Sequence, residues 1–221
     1  MKSISSILLI CSLFFPQENS LHKAPKIFEG IITYEIITKS NIEGVSDERL
    51  SEITGTKLIK YVKGNKVLSK YYSSQNTLIE ERLLLKDEGK NFSYSPKRDS
   101  IFWYYCSEDK NQTKIIDVKS EGHKKFLGFK CNITIFEIKF LSEPIDYTVE
   151  YVYYCSKKFP KNNEKNACTD VIDSTLNSMV IAWDVNGFPT CDRKFVPQKI
   201  ERKKLDDSIF KLSKDLPLKK V

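Results

Sequence analysis

The sequence predicts a mainly β protein built on a single antiparallel sheet, with helix in the minority. Three observations carry that prediction. Short runs rich in Val, Ile, Tyr and Phe recur along the chain, turn residues separate them about every ten residues, and within several runs apolar and polar side chains alternate with a period of two. A chain of 221 residues is long enough for one domain with a substantial core and short for two.

The first residues, MKSISSILLICSLFFPQENS, pair Lys2 with an apolar run from Ile7 to Phe15 that stops at Pro16. This run is too short to span a bilayer as a helix. It fits a secretory signal over 1–23, leaving one β domain over 24–221 and no transmembrane segment in the mature chain. Cys11 raises lipid modification as an alternative, though bulky Ile10 precedes it.

Lys26 to Lys39 alternates as the first strand, with Ile31, Thr33, Glu35 and Ile37 on one face and Ile32, Tyr34 and Ile36 on the other. Ser40 to Glu52 is polar and reads as a loop. Thr56–Lys63 and Lys66–Tyr72 flank Gly64-Asn65, a strong hairpin signal. Thr77–Leu85 is a further strand, turned at Asp87-Glu88-Gly89-Lys90, and the next begins in Asn91–Ser95. Ile101-Phe102-Trp103-Tyr104-Tyr105-Cys106 is dense enough in aromatic residues for a core strand or a cavity wall. Ile115–Phe140 reads as the longest hairpin and the one around which the sheet is organised. It folds back at Phe126–Cys131, where Gly128 supplies a positive φ. Pro144–Cys155 follows as a strand, and Thr169–Ser178 is either a loop or a short helix with Asp170 near its start. Val180–Val185 and Lys194–Lys203 close the sheet around Asn186-Gly187, and the tail turns at Asp206-Asp207-Ser208 to pin Phe210. Tyr104-Tyr105-Cys106-Ser107 recurs as Tyr153-Tyr154-Cys155-Ser156, but the flanks differ and similar strand composition accounts for the match.

The net charge of +7 comes from 36 basic and 29 acidic residues, interspersed as on a solvated surface. Basic and aromatic residues interleave at Lys70-Tyr71-Tyr72, which reads as the two faces of a strand and not as a nucleic-acid platform. Without the signal, five cysteines remain: Cys106, Cys131, Cys155, Cys168 and Cys191. In an oxidising compartment they are expected to form two disulfides and leave one thiol. Cys155 and Cys168 flank the polar loop KKFPKNNEKNA and form the natural staple, contributing about 3 kcal/mol in the chain-entropy model. The remaining pairing stays open. No Cys-x-x-Cys pair exists and His22 and His123 are the only histidines, so neither a metal nor a cofactor is expected.

Catalytic signatures are missing from the sequence: it has no Gly-x-Ser-x-Gly elbow, no phosphate-cradling glycine loop and no His-Glu-x-x-His. His123 with Cys131 is the one candidate dyad, set against an ordinary cysteine beside a surface histidine. Asp184-Val185-Asn186-Gly187 has the look of a calcium loop without its later acid and reads better as an Asn-Gly turn. The expectation is a protein without enzymatic activity.

Three stretches carry a family resemblance. They are the connector Leu127-Gly128-Phe129-Lys130-Cys131 with its β-rich continuation, the opening Phe28-Glu29-Gly30-Ile31-Ile32-Thr33-Tyr34-Glu35, and the tail from Ile200 to Phe210. Together they resemble the exported Bacteroidetes-type domains related to the GLPGLI family, which look like the curved half-barrel of the outer-membrane lipoprotein carrier. The resemblance implies a curved sheet with one or two short helices or loops over its concave face. It also implies a periplasmic or outer-envelope location and a lipid or lipoprotein acyl chain as ligand. Trp103, Tyr105, Phe136, Phe140, Tyr151, Tyr153 and Trp183 then either belong to an ordinary core or wall an apolar groove. An envelope module that binds another protein through a sheet face or edge is the alternative.

Overall fold

The structure is a computed structural model that describes residues 27–106, 113–141, 146–160, 175–176 and 178–221. The expected signal segment, Cys11, Cys168 and most of the Thr169–Ser178 stretch lie outside these residues. Among these residues twelve strands form one curved sheet that does not close. They are β1 Gly30–Ser40, β2 Lys57–Lys63, β3 Lys66–Tyr72, β4 Leu78–Leu85, β5 Lys90–Tyr94, β6 Ile101–Tyr105, β7 Thr113–Phe126, β8 Phe129–Phe140, β9 Tyr147–Pro160, β10 Ser178–Asn186, β11 Cys191–Arg202 and β12 Leu218–Lys220. The order across the sheet is β12-β6-β5-β4-β3-β2-β1-β11-β10-β9-β8-β7. All neighbours are antiparallel except β12, which runs parallel to β6.

The sheet is therefore two runs of hairpins joined through the pairing of β1 with β11. That pairing is the central one, with β1 also carrying β2 on its other side. The alternation read from β1 is observed. Ile32, Tyr34, Ile36 and Thr38 are buried, while Glu35, Ile37 and Lys39 face water. Gly30 starts the strand at φ +154°, and a Cβ there would lie 1.9 Å from the Glu201 carbonyl oxygen, so only glycine fits without a backbone shift.

The long hairpin of β7 and β8 forms, and its two-residue turn places Leu127 (φ 47°) and Gly128 (φ 80°) both in the left-handed region. It is not the organising element, however. β7 is the last strand of the sheet and mostly exposed. Length and apolar content mark a strand but do not fix its rank in the sheet, which depends on pairings between distant segments.

The polar segment read as a loop contains a helix, α1 (Asp47–Thr54). Its signals are short but present. Ser46 caps it by accepting from the Arg49 amide at 3.3 Å, Asp47 and Glu48 sit in the first turn, and Gly55 ends it at φ +96°. A second helical piece, a 3₁₀ turn at Asp207–Ile209, belongs to the C-terminal segment, as the Asp206-Asp207-Ser208 turn and buried Phe210 predict. Among the described residues no helix is long and apolar enough to cross a membrane.

Candidate functional site

Register assigns each side chain to a face, because antiparallel partners stand side by side. Ile32, Lys60, Ser69, Arg82 and Ser93 follow one another across β1 to β5. The neighbouring row on the same face is Pro197, Tyr34, Leu58, Tyr71 and Glu80. Phe195 opposes both Ile36 and Trp183, and Trp183 opposes Tyr153, which carries this face across to β9.

This face is the inside of the curve. The Lys60 ammonium, on β2, lies 4.5 Å from the ring centroid of Trp183, on β10. Three strand steps separate these residues, about 14 Å on a flat sheet. Lysine and tryptophan side chains meet over that span only if the sheet bends toward them. Tyr34 and Trp183 likewise meet across β11 at 5.1 Å, edge to face.

On the opposite, convex face the C-terminal segment covers β2 to β5. Leu205 and Phe210 pack with Leu68 and Leu83, flanked by Tyr61 and Phe92. Glu81, fully buried, anchors this cover: it pairs with Lys70 at 2.6 Å and accepts from the Ser213 amide at 2.7 Å and from the Ser213 hydroxyl. Burial opposes ionisation of Glu81, but the bonds from Lys70 and Ser213 outweigh it and hold the carboxyl below its usual range.

The concave floor is different. Among the described residues, Tyr34 (0% exposed) and Thr38 (5%) bury hydroxyls with no hydrogen-bond partner, and the Nε of Arg193, directly opposite Thr38, is likewise buried without one. The other end of the Arg193 guanidinium donates to the Thr54 carbonyl at 2.9 Å and stacks over Phe195 at 4.9 Å. Lys60 has aromatic neighbours, Trp183 and Tyr34, and no ion-pair partner among the described residues. Burial, reinforced by nearby Lys86, lowers its pKa to about 8. Arg82 lies over Tyr71 and is paired with Glu80 at 2.9 Å.

Of the seven residues expected to wall a groove, five share the concave face. Trp183 packs on Phe195 at 4.1 Å, Tyr151 and Tyr153 are half-buried on β9, and Phe136 and Phe140 oppose Tyr151 and Tyr147. Phe136 is fully buried and belongs to the core. Trp103 and Tyr105 are not part of this set. Their register runs through Phe92, Leu83 and Leu68 to Tyr61, so they stand on the convex face, packed on each other with Lys220 over both rings. A shift of one residue in parity decides the face, and aromatic content alone does not reveal it.

The cysteines also depart from expectation. Cys131, Cys155 and Cys191 are buried thiols, so the structure does not form the Cys155–Cys168 staple. Cys155 sits with Phe136, Ile138 and Leu176 in an apolar cluster, where a thiol packs as a small hydrophobe. Cys106 is disulfide-bonded. The His123–Cys131 dyad is not built: Cys131 opposes Lys124, exposed His123 opposes Asn132, and burial raises the thiol pKa. Asp184 accepts from the Tyr154 hydroxyl at 3.0 Å beside the Gly187 turn. No group of three or more His, Cys, Asp or Glu able to hold a metal occurs among the described residues.

No protein-family model matches the chain, and no curated protein matches it. The concave floor is therefore read from its own chemistry. Sequence reasoning missed Tyr34, Thr38, Lys60, Arg82 and Arg193 as site residues. The one available signal was a lysine, Lys60, in step with the apolar positions Leu58 and Val62 on an otherwise amphipathic strand.

Proposed function

We propose that this chain is an exported, non-enzymatic cell-envelope protein whose concave face holds an apolar ligand, a lipid or lipoprotein acyl chain. The observation that carries the reading is the half-buried aromatic surface inside the curve, where Trp183, Tyr153 and Tyr151 stand side by side on β10 and β9. The N-terminal apolar run and the cystine at Cys106 support export to an oxidising compartment. Native mass spectrometry of the mature protein, exported by its own signal, tests the reading. A reproducible extra mass of lipid size, lost on mild denaturation, is expected; a bare polypeptide mass in repeated preparations would sink it.

A second reading rests on β7. This outermost strand is long, and its Ile116 and Val118 are exposed, an edge suited to pairing with a strand of another envelope protein. Crosslinking in intact envelopes, with β7 labelled, separates the two: an adduct through β7 favours a protein partner, and a monomer alone removes it.

A further inference from the structure

We infer that the turn of the β7–β8 hairpin docks on the surface of an anionic lipid bilayer, with Leu127 entering the interface and Lys124, Lys125, Lys130, Lys157 and Lys158 meeting the lipid phosphates. The inference does not depend on the groove of β9 and β10, and either can fail without the other.

Register singles out the lysines. Lys125 and Lys130 are direct cross-strand partners, one pair back from the turn. Like charges placed in this way destabilise a hairpin. Two other cross-strand lysine pairs occur among the described residues, and in each a carboxylate relieves the repulsion. Lys63 and Lys66 both reach Asp207, at 3.1 and 2.9 Å, and Lys139, opposite Lys114, reaches Asp146 at 2.7 Å. Lys125 and Lys130 have no acidic partner among the described residues. Their surroundings are basic throughout. Phe129 meets Phe159 at 4.9 Å, which sets the end of β9 beside the turn. Neither 122–132 nor 155–160 contains an acidic residue. Lys157 and Lys158 are exposed there, and exposed Lys124 lies over Phe126 and Tyr154 at 5.1 and 5.4 Å. The chain therefore gathers cations at this end and supplies no counter-charge from the same strands.

Leu127 distinguishes a docking turn from a merely solvated one. It sits in the left-handed region at φ 47°, where a leucine is strained, and its side chain is 48% exposed. A solvated two-residue turn is better served on both counts by Asn. The turn is braced from below, since Phe129 packs edge to face on Phe159 and Phe159 on Phe28 at 5.5 Å. An apolar side chain projecting from among lysines matches a bilayer interface, with phosphates outside and acyl chains within. A soluble polyanion satisfies the lysines and leaves Leu127 in water.

Co-sedimentation of the mature protein with vesicles tests the assignment. The vesicles are phosphatidylcholine alone or phosphatidylcholine mixed with phosphatidylglycerol, and heparin serves as the soluble polyanion. Binding to the anionic vesicles is expected to be at least about tenfold tighter than to the neutral ones and to weaken as salt is raised. Each lysine near an anionic surface contributes about fivefold, so Lys125→Ser and Lys130→Ser together are expected to lower the affinity about 25-fold. Leu127→Asn keeps every charge, suits the positive φ, and is expected to weaken binding about fivefold without loss of thermal stability. Equal binding to both kinds of vesicle, or none to either, overturns the docking site. A preference for anionic vesicles that survives the double substitution overturns its placement at this turn. Unchanged binding by Leu127→Asn overturns the entry of Leu127 into the interface. Heparin binding without vesicle binding overturns the bilayer and assigns the lysines to a soluble polyanion.

Discussion

Adjacent residues of β4 show two ways of placing charge in this sheet. Glu81 points to the convex face, is fully buried, and has Lys70 and Ser213 arranged around it under the C-terminal segment. Arg82 points to the concave face, where Lys60 lies against aromatic rings with Lys86 nearby, and Arg193 and Tyr34 bury polar atoms with no hydrogen-bond partner among the described residues. The convex cluster is complete within the chain and its work is structural, since it fastens the tail over Leu68 and Leu83. The concave cluster has donors in excess. A buried charge with all its bonds made keeps its place in a fold, whereas buried donors without partners cost stability.

The comparison can be broken at several points. The largest effect is expected for Glu81→Ala, which strands Lys70 and the Ser213 donors: a loss of about 3 kcal/mol in urea unfolding, with limited proteolysis cutting the segment after Lys203. A loss below about 1 kcal/mol, with the tail still protected, would show that the convex cluster is not an anchor. Removing charge from the other face should act in the opposite direction. Lys60→Met replaces an ammonium without an ion-pair partner by an apolar chain of similar length and is expected to stabilise the ligand-free protein by about 1 kcal/mol. Destabilisation would mean that Lys60 already has its partner.

The same residue gives a pH signature. Its folded pKa, about 8, lies below the ordinary lysine value, so from pH 8 upward the unfolded chain holds a proton that the folded chain has released. Stability of the unaltered protein relative to Lys60→Met should therefore be lowest and constant below pH 8 and rise through pH 9.5. Tyr34, whose phenol burial pushes above the usual tyrosine range, opposes this only at higher pH, and it is common to both proteins. A flat difference over that interval would remove Lys60 from the account. The smallest effect is expected for Thr38→Val, which deletes a buried hydroxyl without a partner at nearly constant shape. It should be neutral or stabilising by about 0.5 kcal/mol, and a clear loss in thermal denaturation would show that the hydroxyl is satisfied.

The hairpins and the tail turn were legible because their causes are local. Gly64-Asn65 and Gly128 adopt the required backbone, and β1 alternates in the sequence as it does in burial. Helix α1 was legible in principle from Ser46, Asp47, Glu48 and Gly55, but a short polar segment gives no periodic apolar signal and was read as a loop. Aromatic content alone could not separate Trp183, Tyr151 and Tyr153, which share one face, from Trp103 and Tyr105, which stand on the other, because the side of the sheet is set by a chain of registers through five strands.

What the sequence determined by itself is the repertoire: strands of given length, turns at given residues, and the in-and-out alternation along each strand, all set by propensity and pattern within a few residues. Only the tertiary structure decided which strands are neighbours and which face lies inside. Tyr34 meets Pro197 and Lys60 meets Trp183 through contacts between segments more than a hundred residues apart. The bend of the sheet, not the spacing of the residues, brings Lys60 over Trp183 and sets Tyr34 against Trp183. Local physics has no means of specifying such convergence, because it arises from the packing of the whole sheet at once.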